Sequence, residues 1–256
     1  MSDADEPRPS ATVLVARQRG DDAEVLLVER HAGTAFGAVH AFPGGVLEPA
    51  DANVATHCRG IDDARASETL SVDRGGLAYY SAAIRELFEE VGILLGDCDD
   101  ADALPALRDA LNGGDIAWSS ALEQHAITLH CDALDYFAHW VTPVGEPKRF
   151  STRFFAALAP AGQEAVHDCR EITDCRWVTP ATALAAYERK ELGLIYPTWR
   201  TLEDIRDLGT ADAIVAWARA RSEEGVPGQN HASVRVDGKP EVGFPADARY
   251  PEEQKA

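Results

Sequence analysis

No stretch of this 256-residue chain approaches the roughly 18 consecutive apolar residues that a membrane-spanning helix requires. Basic residues are scarce. Lys and Arg number 24 against 43 Asp and Glu, a formal net charge of −19. A field of that sign repels the phosphates of nucleic acid, so nucleic-acid binding is not expected. It leaves room for a small phosphorylated substrate, because local cationic groups act at short range against a screened global field. Met1 to Pro9 lacks the basic-then-apolar pattern of a secretory signal. Gln254-Lys255-Ala256 is not a peroxisomal address. Cys58, Cys98, Cys131, Cys169 and Cys175 show no paired metal-ligand spacing, so reduced thiols in a cytoplasmic protein are the expectation. The chain also has no internal repeat and no appended helix-turn-helix pattern.

What the chain does have is concentrated in Arg85-Glu86-Leu87-Phe88-Glu89-Glu90-Val91-Gly92-Ile93. At about 100° per residue, Ala83, Ile84, Leu87, Phe88 and Val91 fall on one face of a helix, suited to a core. Glu86, Glu89 and Glu90 fall opposite, at i, i+3 and i+4, where side chains are neighbours. Like charges in such a patch repel, and a hard cation with oxygen ligands reverses that cost. A solvated acidic face is the plainer alternative for these residues taken alone. Gly92 suits the left-handed conformation that stops a helix. Upstream, Phe42-Pro43-Gly44-Gly45 reads as a tight turn whose backbone can approach a ligand closely, and the acids Glu48 and Asp51 follow it.

Together these two stretches resemble the Nudix box: Gly, five residues, Glu, seven residues, then Arg-Glu-aliphatic-any-Glu-Glu-any-Gly-aliphatic. Gly45 is followed by five residues and Asp51, an acid one methylene shorter than the usual Glu, and Arg85 to Ile93 matches throughout. The departure is an insertion, which sets Asp51 and Arg85 34 positions apart. An interrupted box after Phe-Pro-Gly-Gly is similar to the Nudix branch that includes the acyl-coenzyme A diphosphatases of mammalian organelles. The likeness extends through Trp140-Val141-Thr142-Pro143, Arg149 to Phe155 and Trp177-Val178-Thr179-Pro180. It implies an α+β fold, a Nudix-type α/β/α sandwich with a mixed sheet, the box as loop-helix-loop, and here extra helices. It also implies a hydrolase that cleaves a nucleoside diphosphate derivative with Mg²⁺ or Mn²⁺, and coenzyme A or acyl-coenzyme A is the leading substrate. ADP-ribose, a dinucleotide or a nucleotide sugar is the alternative, and a ligand sensor without turnover is a third reading. A homodimer is expected by family analogy alone.

The domain is expected to span residues 10–224, with a disordered tail at 1–9, insertions at 52–76 and 100–131, and an extended tail at 225–256. The first insertion reads as an irregular surface excursion with at most a short helix. The second reads as two helices, Asp102 to Leu111 and Ile116 to His125. Strands are expected at 10–18, 24–30, 139–142, 149–157 and 170–178, and helices at 77–91, 180–190, 199–208 and 211–221. Ile93 to Leu95 reads as a short strand and residues 132–139 as a further turn of helix.

The resemblance assigns the metal to Glu86, Glu89 and Glu90 with the Gly44 carbonyl. Arg85 would hold the carboxylates in place, with Glu48 and Asp51 orienting them from behind. The general base is Glu86 or an acid of a later loop, Glu164, Asp168 or Glu171, of which Glu171 is preferred. Lys148, Arg149 and Arg153 form the densest basic cluster and suit phosphate recognition, with Arg30 a weaker candidate and His31 and His40 weaker still.

Overall fold

The computed structural model describes residues 6–30, 39–142, 146, 148–168, 172–230, 232–236 and 239–243. The chain opens with a hairpin, β1 (Arg8–Arg19) and β2 (Asp22–Arg30). β3 (Val39–Ala41) and β4 (Gly44–Val46) are joined through Phe42-Pro43, so both glycines of the Pro-Gly-Gly stretch lie in β4. Two helices follow, α1 (Asp63–Leu70) and α2 (Gly76–Val91), the second carrying the acidic face. After β5 (Gly96–Asp97) come α3 (Leu104–Gly113), α4 (Trp118–Gln124) and β6 (Thr128–Leu129). Then come β7 (Asp135–Val141), β8 (Phe150–Leu158), β9 (Ile172–Val178), α5 (Pro180–Glu188), β10 (Gly193–Leu194), α6 (Tyr196–Ile205) and α7 (Ala211–Glu224). β11 (Gly228–Asn230), β12 (Ala232–Val236) and β13 (Lys239–Gly243) end the described chain. No helix among the described residues is long and apolar enough to cross a membrane.

A mixed sheet runs β10-β3-β2-β1-β8-β7-β11, with β4 also paired to β1 and β9 to β2. β1 lies parallel to β8 from Arg8↔Phe150 to Ala16↔Leu158. That long ladder draws Arg8 and Pro9 into the strand, although the sequence reading assigns them to the disordered tail. Both sheet faces are covered, and each covering makes its own core. On one side Val13, Val15, Leu26, Val28 and Phe155 pack with Ile84, Leu87, Phe88 and Val91 of α2. On the other, Leu14, Leu27, Phe137 and Phe154 pack with Leu184, Leu202 and Ile214 of α5, α6 and α7. The result is the expected α/β/α sandwich with extra helices.

The first insertion departs from its reading as a surface excursion. Val54, Ala66 and Leu70 are buried in the same core as α2, and Asp62 caps α1 by accepting from the Arg65 amide at 2.8 Å. A segment with three inward apolar groups buries them sooner than it hydrates them. Downstream, β7 starts at Asp135, where the sequence suggests a helical turn. The short strand after the box is Gly96–Asp97, not Ile93 to Leu95, whose side chains are buried in the core. In the C-terminal segment, β11 pairs with β7, and β12 with β13.

Candidate active site

The site is assembled where the Pro-Gly-Gly turn meets α2. Gly44 has φ 152°, and a Cβ there would lie 2.3 Å from the Ala11 carbonyl oxygen. A Cβ on Gly45 would lie 2.4 Å from Glu86 Oε1. The two glycines are therefore what lets this backbone lie against the helix. The Gly44 amide donates to Glu90 Oε2 at 3.1 Å. Gly92, at φ 75°, ends α2 just past these acids.

Arg85 is the hub. It is 1% exposed. Its Nε and Nη2 donate to the two carboxylate oxygens of Asp51, each at 3.1 Å, and Nη2 also donates to the Val46 carbonyl at 3.0 Å. Nη1 donates to Glu86 Oε1 at 3.0 Å and to Glu89 Oε2 at 2.8 Å, so those two carboxylates converge on one nitrogen. Burial opposes the Arg85 charge, but hydrogen bonding to Asp51 and the fields of Glu86, Asp51 and Glu89 outweigh it, and the guanidinium is held protonated. Asp51 is fully buried and also accepts from the Ser81 hydroxyl at 3.2 Å and the Glu48 amide at 2.8 Å. Ser81 in turn accepts from the Trp118 indole at 2.9 Å. Burial pushes the Glu89 carboxyl up to about 7, against the pull of Arg85 and with the repulsion of Glu86 adding to it.

The second insertion braces this helix. Arg108 of α3 donates to the carbonyls of Glu89 (3.0 Å) and Glu90 (2.6 Å), and Asn112 to that of Glu89 (3.0 Å). These are last-turn carbonyls that have no partner within a helix. Sequence reasoning missed Arg108, because only the packing of α3 on α2 shows what it caps.

A cavity of about 750 Å³ opens beside the turn. Its lining includes the acids Glu6, Glu48 and Glu86, the glycines Gly44 and Gly45, the cations Arg8, Lys148 and Arg149, and apolar surface from Phe42, Phe150, Phe154 and Ile195. Arg8 was missed in the sequence for want of any motif around it. Arg153 does not reach this cavity. It alternates to the other face of β8, where its guanidinium stacks 4.5 Å over the Tyr79 ring and donates to the Tyr79 hydroxyl at 3.2 Å. A smaller hollow of about 480 Å³ is lined by Glu48, Glu89, Asn112, Trp118 and Asp168. Asp168 accepts from the Ile172 amide at 2.9 Å, while Glu164 is exposed. Glu171 and His31 lie outside the described residues, and of Arg30 only the backbone, paired with Val39 and Ile172, is described.

The family model described as the NUDT19 Nudix domain matches residues 60–205. The chain belongs to the Nudix hydrolase family. Within that family it is 26% identical to the acyl-coenzyme A diphosphatase NUDT19 of Gallus gallus, covering 91% of this chain and 74% of the relative. To the Homo sapiens protein of the same name it is 27% identical, covering 79% of this chain and 65% of the relative. Among solved structures, a Nudix hydrolase from Alicyclobacillus acidocaldarius is 26% identical, with a TM-score of 0.68 over 83% of this chain and 96% of the other. The buried pair Asp51–Arg85 thus joins the two halves of an interrupted Nudix box. Nudix hydrolases use a divalent metal, and Glu86, Glu89 and Glu90 of α2 are hard oxygen donors of the kind such an ion takes.

Proposed function

We propose that this enzyme hydrolyses the diphosphate of coenzyme A or an acyl-coenzyme A, releasing 3′,5′-ADP and a phosphopantetheine product. The observation that carries the reading is the cavity, which joins the box carboxylate Glu86 to the cations Arg8, Lys148 and Arg149 along an apolar wall. A nucleotide with an additional phosphate and a long, weakly polar arm needs those three surfaces together. The names of the avian and human relatives support the same substrate class.

Glu86, Glu89, Glu90 and the Gly44 carbonyl would hold Mg²⁺ or Mn²⁺. Bound there, such an ion lowers the pKa of water and offsets the charge of phosphate oxygens. Arg85 fixes Glu86 and Glu89 relative to one another through one nitrogen, which sets the carboxylates before substrate arrives. We assign proton acceptance to Glu86, because it lines the substrate cavity, whereas Asp168 opens onto the other hollow. Lys148 and Arg149 hold phosphate, joined by Arg8 and not by Arg153. Glu48 and Asp51 position the ligands from behind.

A panel of coenzyme A, acetyl- and long-chain acyl-coenzyme A, 3′-dephospho-coenzyme A, ADP-ribose and diadenosine polyphosphate, assayed with product identification, tests the reading. The highest kcat/KM should fall on a coenzyme A species, with 3′,5′-ADP as product. A higher kcat/KM on ADP-ribose or the dinucleotide overturns it.

A further inference from the structure

Across the sheet from the box, on the face that packs against α5 and α6, three potential ligands stand in a row. Glu29 of β2 is the register partner of His40 on β3 along one edge and of Asp174 on β9 along the other. Partners in register project from the same face. One ligand atom from each lies within 4.8 Å of the others. Bonds of about 2.0–2.2 Å from one zinc-like ion keep its ligand atoms within about 4 Å of each other, so the row need close only slightly.

Three features point to a ligand. The imidazole of His40 is 4% exposed, yet neither ring nitrogen makes a hydrogen bond. Its Nε2 pairs with Glu29 Oε2 only at 3.5 Å, the Gly193 backbone offers a hydrogen bond too loose to satisfy the ring, and Arg176 lies close enough to act on its charge. Buried polar atoms are rarely left so in folded proteins. Second, Glu29 and Asp174 are like charges directly opposite in a ladder, and the Arg176 guanidinium offsets only one of the two. Third, the two carboxylates are oriented from outside. The Thr173 hydroxyl donates to Glu29 Oε1 at 2.8 Å, leaving Oε2 towards His40. Arg176 donates through both Nε and Nη2 to Asp174 Oδ2, leaving Oδ1. Thr173 is the residue skipped in the register between Glu29 and Arg30, and such bulges re-aim side chains. Groups that hold one oxygen of a ligating carboxylate are the usual surroundings of a metal site.

We propose that Glu29, His40 and Asp174 form a second cation site, separate from the box, that takes a divalent transition ion of the zinc class. An imidazole with two carboxylates selects such ions over Mg²⁺, which prefers an all-oxygen shell. Asp174 and Arg176 are partly exposed, so the outer side of the row is open for entry and for a retained water. The bound ion ties β3, β2 and β9 together, and Val39 and Ala41 on either side of His40 line the substrate cavity. The ion therefore steadies one wall of that cavity.

The test uses the full chain with Glu89→Gln and Glu90→Gln, which removes the box as a competing site. The protein is equilibrated with zinc chloride in excess magnesium, freed of unbound ion, and assayed for metal by plasma mass spectrometry. Zinc stoichiometric with the chain is expected, and its loss on adding His40→Gln or Asp174→Asn. Asp174 lies at the surface, so the second variant decides even where the first fails to fold. Circular dichroism confirms its fold. No zinc retained by the parent, or undiminished zinc in the Asp174→Asn variant, overturns the proposal.

Discussion

Replacing Arg85 with Met leaves Asp51 fully buried without its countercharge. Breaking a buried ion pair in this one-sided way costs about 3–5 kcal/mol, and urea unfolding of the metal-free protein should show a loss of that size. Asp51→Asn keeps the shape but weakens the hold on Arg85. Changes behind the ligands of a metal site lower affinity or activity by about 10–100-fold, so the Mg²⁺ half-saturation of Asp51→Asn should rise on that scale. Glu89 makes a pH-dependent contribution. Its carboxyl is raised from the ordinary 4.5 to about 7, with burial the main cause. The folded state therefore keeps a proton that the unfolded chain has already lost, and stability falls as pH rises from the ordinary value through about 7. In metal-free protein, Glu89→Gln should gain Tm relative to wild type across that window and level off above it. A constant difference in Tm from pH 4 to pH 8 would show that this carboxyl is not raised.

Helix α3 reaches the chemistry through two side chains, Arg108 and Asn112, that cap carbonyls on the residues bearing Glu89 and Glu90. Hydrogen bonds to a charged donor contribute about 1.5–3 kcal/mol. Arg108→Ala should destabilise by that order and lower kcat at saturating Mg²⁺, while leaving KM nearly unchanged because neither residue lines the substrate cavity. Most elements were legible in the sequence for physical reasons. The 3.6-residue period of Ile84, Leu87, Phe88 and Val91 announces α2, and Gly92 its end. Pro180 opens α5 behind the Thr179 cap, which accepts from Thr182 at 3.1 Å. Strand alternation correctly set Phe150, Thr152 and Phe154 against Ser151, Arg153 and Phe155. It could not say which face would border a cavity, and so Arg153 was grouped with Arg149. Register is equally invisible in a single strand. Neither the row Glu29, His40 and Asp174 nor the place of Arg8 opposite Phe150 can be read before strands are paired.

The whole molecule carries a net charge of −19, which concentrates cations around it and repels a polyanionic substrate. Salt screens both, the Debye length shrinking from about 10 Å at 0.1 M to about 3 Å at 1 M. Mg²⁺ half-saturation should therefore rise steadily with potassium chloride, by more than a box buried from the global field would allow. A flat response would confine the cation's attraction to the three glutamates. The sheet as a whole also has a border to defend. β7 is bounded on one edge by β8 and on the other by β11, a strand of three residues running parallel from His139 to Val141. Uncovered, that edge offers unpaired amides and carbonyls to any extended chain nearby. The segment after α7 covers part of that edge, Gly228–Asn230 lying against His139–Val141. Protein shortened to end at Pro227 should keep its box yet form concentration-dependent aggregates by light scattering, β7 finding in a second molecule the partner it lost in its own.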